Sequence, residues 1–194
     1  MGGEPGVADE PLQIAVIIAS TRTGRFGATV ARWFIRQAEQ HADLKLDVID
    51  LRDIHLPDTM EQTEQAAAFA ARIGVADAVV LVTCEYNHGY PAPLKRAIDA
   101  VRVEWQAKPV GFVSYGGLAG GLRAVEQLRQ VLAEVHAVGI RETVSFHMAH
   151  DQFDRHGELI DPSAANGAAA RLLRQLTWWA RALRAARAVE PYPA

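Results

Sequence analysis

The sequence predicts an α/β fold, a three-layer sandwich in which a five-stranded parallel sheet in the order 2-1-3-4-5 lies between two layers of helices. Three observations carry that prediction. Short apolar runs alternate five times with longer amphipathic ones, the pattern of a parallel sheet with covered faces. Runs such as Val79-Val80-Leu81-Val82 lack polar alternation, as strands buried on both sides do. Right-handed crossovers then restrict five such units to a doubly wound sheet.

Leu12 to Ala19, with Ile14, Val16, Ile17 and Ile18, reads as the first strand. Gly24 to Gln40 reads as a helix whose apolar stripe is Val30, Trp33, Phe34 and Ala38, with Arg32, Arg36 and Glu39 off it. Lys45 to Leu51 alternates as a partly covered strand, and 52–59 reads as a loop. A second helix spans about Glu61 to Ile73. Ala76 to Thr83 is the most apolar run and the expected central strand. Pro91 to Trp105 is the next helix, its prolines suited to a first turn whose N–H groups have no intrahelical partner. Val110 to Tyr115, Gly120 to His136 and Ile140 to Phe146 follow as strand, helix and strand. A polar excursion from His150 to Pro162 leads to a last helix, Ala164 to about Ala188.

Composition narrows the function. With 194 residues, 49% of them hydrophobic and 22% charged, the chain is an average globular one. Twenty basic against 23 acidic residues leave a formal charge of −3, against nucleic-acid binding through bulk charge. Cys84 is the one cysteine, so no intramolecular disulfide forms. No apolar stretch approaches the roughly 20 residues of a membrane-spanning helix. The opening Met1-Gly2-Gly3-Glu4-Pro5-Gly6 has neither the positive start nor the apolar run of a secretory signal. The expected organisation is a flexible leader over 1–11, a single domain over 12–188 and a tail over 189–194, in a cytoplasmic protein.

In this strand order ligands bind at the carboxyl ends of strands one, three and four. The first of those loops, Ser20-Thr21-Arg22-Thr23-Gly24-Arg25-Phe26-Gly27, opens directly into a helix. Helix-terminal N–H groups, hydroxyls and two guanidinium forks suit a phosphate. It is neither G-x-G-x-x-G nor a P-loop, so a mononucleotide is expected over a di- or triphosphate. The bland reading is a capped helix with surface arginines.

The second loop, Cys84-Glu85-Tyr86-Asn87-His88-Gly89-Tyr90-Pro91, sets two aromatic rings beside an amide and an imidazole, which suits a flat heterocycle. A phosphatase loop would need arginine six positions after the cysteine, and Tyr90 stands there. Cys84 reads as a strand-end packing residue. The third loop, Ser114-Tyr115-Gly116-Gly117-Leu118-Ala119-Gly120-Gly121, lets backbone approach a ligand edge-on.

At these loops the sequence resembles the NADPH-dependent FMN reductase family, a flavodoxin-like group that includes quinone, azo-dye and chromate reductases. The resemblance lies in Ala19-Ser20-Thr21-Arg22-Thr23-Gly24-Arg25, in Glu85-Tyr86-Asn87 through Leu94-Lys95-Arg96-Ala97-Ile98-Asp99, and in Ser114 through Arg123-Ala124. It covers about 14–145, and the middle motif is the most specific part. Two departures stand out: Cys84 replaces a usual proline, and Ala19 a frequent glycine.

The resemblance implies a flavoprotein enzyme, an FMN reductase or quinone reductase. Ser20, Arg22, Gly24, Arg25, Phe26 and Gly27 would hold the FMN phosphate. Glu85, Tyr86, Asn87 and His88 would line the ring and ribityl side, and Ser114, Tyr115, Gly116 and Gly117 the other edge. It implies hydride transfer from NADPH (or NADH) through flavin N5 to a flavin, quinone or similar small acceptor in ping-pong order, with no catalytic triad. Arg22 and Arg25 would also attract the nucleotide's phosphates. The family usually forms homodimers or homotetramers. The alternative is a flavodoxin-type electron carrier, against which the arginine pair and the small net charge count.

Three further features have plain readings. Arg171, Arg174, Arg181, Arg184 and Arg187 form a solvated face of the last helix opposite Leu172, Leu176, Trp179 and Leu183. His147, His150, Asp151, Asp154 and His156 suggest a substrate-side loop or subunit contact more than a metal site. Trp105 and Trp178 are expected at a subunit interface, where aromatic residues are enriched.

Overall fold

The computed structural model describes residues 10–193, so most of the expected leader and the final residue of the expected tail lie outside the described residues. Five strands, β1 (Leu12–Ile18), β2 (Leu44–Asp50), β3 (Ala78–Cys84), β4 (Pro109–Tyr115) and β5 (Val138–Phe146), form one sheet. All pairings are parallel and the order is β2-β1-β3-β4-β5. The flavodoxin-like winding predicted above is therefore the fold.

Each strand is followed by helix: α1 (Gly27–Ala38), α2 (Glu64–Val75), α3 (Ala92–Asp99), α4 (Leu122–Glu134), the one-turn α5 (Ala149–Gln152) and the long α6 (Ser163–Val189). Alternate side chains of β1 divide the core. Ile14, Val16 and Ile18 pack with α1 and α6 around Phe34, Phe146 and Leu172, whereas Ala15 and Ile17 pack with α2, α3 and α4 around Phe69, Leu94 and Leu128. Every residue of β3 and β4 is buried, because both faces are covered and neither strand is at an edge. The edge strands β2 and β5 mix buried, half-buried and exposed positions.

The predicted helix over 91–105 stops at Asp99 and is followed by a separate 3₁₀ turn, Val103–Trp105. Val101 and Val103 are β-branched and weaken helix continuation, and the Arg102 N–H donates to the Glu104 carboxylate instead of a helical carbonyl. Trp105 is fully buried, its indole N–H donating 3.1 Å to the Ile98 carbonyl. That corrects the expectation for this residue: Trp105 is core, not interface, because burying its ring outweighs extending the helix. Trp178 is 63% exposed. Among the described residues no helix is long and apolar enough to cross a membrane.

Candidate functional site

The loops after β1, β3 and β4 meet at the carboxyl rim of the sheet because their strands are neighbours. At the first, Phe26 precedes α1 and no side chain caps the helix, whose first turn carries no acidic residue. An anion at that end meets the positive pole of the helix without a competing carboxylate. Phe26 is fixed from the far side, its ring 5.3 Å from Phe153 and 4.4 Å from His150.

The two arginines of this loop part ways. Arg22 is exposed and stands with its guanidinium carbon 5.7 Å from the centroid of the Tyr86 ring. Arg25 turns inward, its side chain 9% exposed. It donates from Nη1 to the Ser20 carbonyl and to Asp50 Oδ1, both at 2.8 Å, and from Nη2 to Asp50 Oδ2. The guanidinium thus clamps the end of β2 to the start of the loop.

Gly27 is required sterically: a Cβ there would lie 2.6 Å from the Tyr115 hydroxyl oxygen. Ser20 and Ser114 are fully buried beneath the loops. Ser20 shares a 2.7 Å hydrogen bond with the Tyr86 hydroxyl, and Ser114 donates to the Gly120 carbonyl at 2.8 Å.

The second loop is a tight reversal in which Tyr86 and Gly89 exchange backbone hydrogen bonds of 2.8 and 3.0 Å. Asn87 and His88 between them have φ of 49° and 71°, the left-handed pair of a type I′ turn. For His88 that conformation is uncommon, and α4 braces it. Gln127 donates to the His88 carbonyl at 3.0 Å, and Arg123 Nη1 donates to His88 Nε2 at 2.7 Å. Arg123 also holds Glu85 through its backbone N–H at 3.2 Å and Nε at 2.5 Å, joining the second loop to the third.

The third loop is carried by β5. Gly116 N–H donates to the Phe146 carbonyl, while Met148 and Ala149 N–H groups donate to Gly117 and Gly116 carbonyls, at 2.8 to 3.1 Å. Gly120, with φ of 58°, fits where a Cβ would stand 2.5 Å from Ser145 Oγ.

Between the loops lies a cavity of about 150 Å³ lined by Arg22, Phe26, Tyr86, Tyr115, Gly116 and His150, among others. A second, of about 290 Å³, adjoins it through Glu85 and Gly117 and runs past Asn87, His88 and Arg123. Burial raises the pKa values of both phenols lining the first cavity, with a neighbouring Cys84 thiol acting in the same direction. Both stay protonated through the neutral range. The space fits a flat ring with an anionic tail: nothing approaches within 4 Å of where Cβ atoms on Gly24 and Gly117 would be, so backbone is open to a ligand at both ends.

All fourteen residues singled out from the sequence thus lie on the three loops or on the ends of β4 and α1 that adjoin them. Those turned to the cavities are Arg22, Phe26, Glu85, Tyr86, Asn87, His88, Tyr115, Gly116 and Gly117. Ser20, Arg25, Gly27 and Ser114 support them from within. Asp50, Arg123 and Ala149 join the site without having been singled out from the sequence, and His150, expected in a substrate-side loop or subunit contact, lines the first cavity. No spacing rule links Phe26 to His150; only the short α5 brings them together. His147 is turned to the third loop, its Nδ1 donating to the Leu118 carbonyl at 2.9 Å. Among the described residues no three His, Cys, Asp or Glu side chains gather as a metal site requires.

Known proteins are similar to this chain in sequence and fold. An NAD(P)H-dependent FMN reductase of Schizosaccharomyces pombe is 35% identical over 130 residues, 61% of this chain and 64% of its own. The chain thus spans just under two thirds of that relative. A quinone reductase of Escherichia coli is 36% identical over 140 residues, 66% of this chain and 73% of its own. The flavoenzyme NAD(P)H:(acceptor) oxidoreductase FerB from Paracoccus denitrificans superposes with a TM-score of 0.74, covering 88% of this chain and 98% of that one. At 22% identity that likeness concerns the fold. Residues 12–151, which include all three loops, match the NADPH-dependent FMN reductase family, and the chain belongs to that family.

Proposed function

We propose that the protein is an FMN-dependent NAD(P)H oxidoreductase that reduces a flavin, a quinone or a similar small acceptor. The observation that carries this reading is the convergence of Arg22, Tyr86 and Gly116-Gly117 on one cavity at the rim of the sheet. FMN held there would supply hydride-transfer chemistry that no side chain of the protein offers.

The chain's own part is to hold and orient. The uncapped start of α1, the Gly24 turn and Arg22 bind the phosphate. Tyr86, Asn87 and His88 line one side of the ring, and Gly116 and Gly117 present backbone to its other edge. N–H groups there stabilise negative charge that builds up on the ring system. The Glu85–Arg123 bridge keeps the two ring-bordering loops at a fixed spacing. Nucleotide and acceptor use the same opening in turn, the ping-pong order. No catalytic triad is needed. A homodimer or homotetramer working in the cytoplasm completes the reading, with residues 12–188 as its FMN-binding unit.

The test is a visible spectrum of the purified protein followed by anaerobic NADPH and then a quinone. Flavin absorption that bleaches with NADPH and returns with the quinone, faster than with free FMN, is the expected result. Flavin that binds but never bleaches with NADPH would leave an electron carrier instead.

A further inference from the structure

A cleft of about 240 Å³ opens on the outer side of the phosphate loop, lined by Thr21, Leu51, Arg52, Ile54, Leu56, Pro93 and Arg96. Leu51 and Leu56 are buried and give it an apolar floor. Thr21 lines this cleft, and its sequence neighbour Arg22 lines the cavity assigned to the flavin.

Its charges are set by the clamp already described. Asp50, at the carboxyl end of β2, is engaged by Arg25. Asp50 Oδ1 also accepts the Arg52 backbone N–H at 3.0 Å, and the Asp53 N–H donates to the Asp50 carbonyl at 3.0 Å. Arg52 is thereby fixed at a turn with its side chain exposed at the cleft. Its guanidinium has no hydrogen-bonding or ionic partner among the described residues. Arg96, across the cleft, pairs with the exposed carboxylate of Asp58.

In dinucleotide-binding sheets, a carboxylate after the second strand hydrogen-bonds the ribose 2′-hydroxyl of NAD, and a nearby arginine accommodates the 2′-phosphate of NADP. Here the carboxylate in that place is already neutralised and a free guanidinium stands two residues on. We propose that this cleft receives the adenosine 2′-phosphate end of NADPH, with Arg52 as the main donor, and so makes the protein prefer NADPH to NADH. The adenine lies on the Leu51–Leu56–Pro93 floor, while Arg96 and the Thr21 hydroxyl flank the phosphate. The inference rests on the oxidoreductase reading for its nucleotide, and it names the half of that nucleotide the flavin cavity does not hold.

The probe is adenosine 2′,5′-bisphosphate, titrated calorimetrically into the FMN-loaded protein. Binding is expected, competitive with NADPH in turnover, and weakened about tenfold or more by Arg52→Ala, the scale of one charge-assisted contact. Adenosine 5′-monophosphate is expected to lose less than threefold with the same variant. In kinetics, Arg52→Ala raises the ratio of the NADPH KM to the NADH KM about tenfold. Arg32→Ala, an exposed arginine on α1 away from the cleft, leaves the ratio unchanged. Bisphosphate that fails to bind the wild-type protein, or binds Arg52→Ala equally well, overturns the proposal. So does an equal rise in both KM values. Loss of turnover with either nucleotide would sink the oxidoreductase reading, while calorimetry would still decide the cleft.

Discussion

The Tyr86 phenol and the Ser20 hydroxyl, 66 residues apart in sequence, share a 2.7 Å hydrogen bond. It ties the ring-lining loop to the phosphate-binding loop, with the Arg22 guanidinium stacked 5.7 Å from the same phenol ring. Tyr86→Phe keeps the ring and its contact with Arg22 but removes the link. One neutral hydrogen bond is worth about 1 kcal/mol, so FMN affinity should fall about three- to tenfold, read by quenching of flavin fluorescence. Tyr86→Ala removes the ring as well and should cost more. Equal affinities for wild type and Tyr86→Phe would mean the two loops hold their places independently.

Arg22 and Arg25 stand three residues apart and should fail differently. Arg25→Ala leaves the Asp50 carboxylate, whose side chain is 19% exposed, without its partner and frees the end of β2. Breaking a largely buried pair costs about 3 kcal/mol, so the denaturant midpoint should drop. Arg25→Lys should not restore it, because a point charge cannot reproduce the two-pronged contact. Arg22→Ala, at an exposed position, should change stability by less than about 0.5 kcal/mol and weaken FMN binding. A reversed pattern would show that Arg25 reaches the phosphate.

The difference between those two arginines marks where the sequence stopped being legible. The sheet order was readable because β3 carries the unbroken apolar run Ala78 to Val82 and helices intervene between all strands, which leaves few windings. The three loops were readable because that winding puts them on one rim. Which way a guanidinium turns was not, since Arg25 finds Asp50 only once β2 pairs with β1 in the observed register. Trp105 misled for a related reason: an aromatic residue near a helix end looks like surface until Val101 and Val103 break the helix and let the indole fold under Ile98. His150 became a lining residue through α5, a single turn too short to leave a periodic signature.

Gly27 and Tyr115 make a pair whose fit can be tested alone. Gly27→Ala places a Cβ 2.6 Å from the Tyr115 hydroxyl oxygen, with the next contacts at 3.5 Å. Overpacking of this kind costs about 1 to 3 kcal/mol. Tyr115→Phe removes the clashing atom and leaves ordinary contacts behind. The double variant should therefore be more stable than the sum of the single changes predicts, by about 1 kcal/mol or more in a double-mutant cycle. Simple additivity would place the strain of Gly27→Ala somewhere other than this hydroxyl.

Lys108 ties stability to pH at the opposite end of the sheet. It is 4% exposed, and its ammonium donates to the Gly74 and Ala76 carbonyls at 3.1 and 2.7 Å. Burial lowers its pKa to about 8, with nearby Arg187 acting in the same direction, against partial compensation from Asp77 and Glu104. A base whose pKa falls on folding binds fewer protons in the folded than in the unfolded state between the two values. Stability contributed at this position therefore rises as pH climbs from about 8 towards the ordinary lysine value. The raised pKa values of Tyr86, Tyr90 and Tyr115 act the other way above about pH 10, where unfolded tyrosines ionise. The comparison that isolates the lysine is wild type against Lys108→Met between pH 7.5 and about 10. Wild-type stability should gain on the variant across that window by an amount on the order of 2 kcal/mol, read from urea unfolding at each pH. Parallel curves would mean that Lys108 keeps its proton throughout, held by the two carbonyls despite its burial.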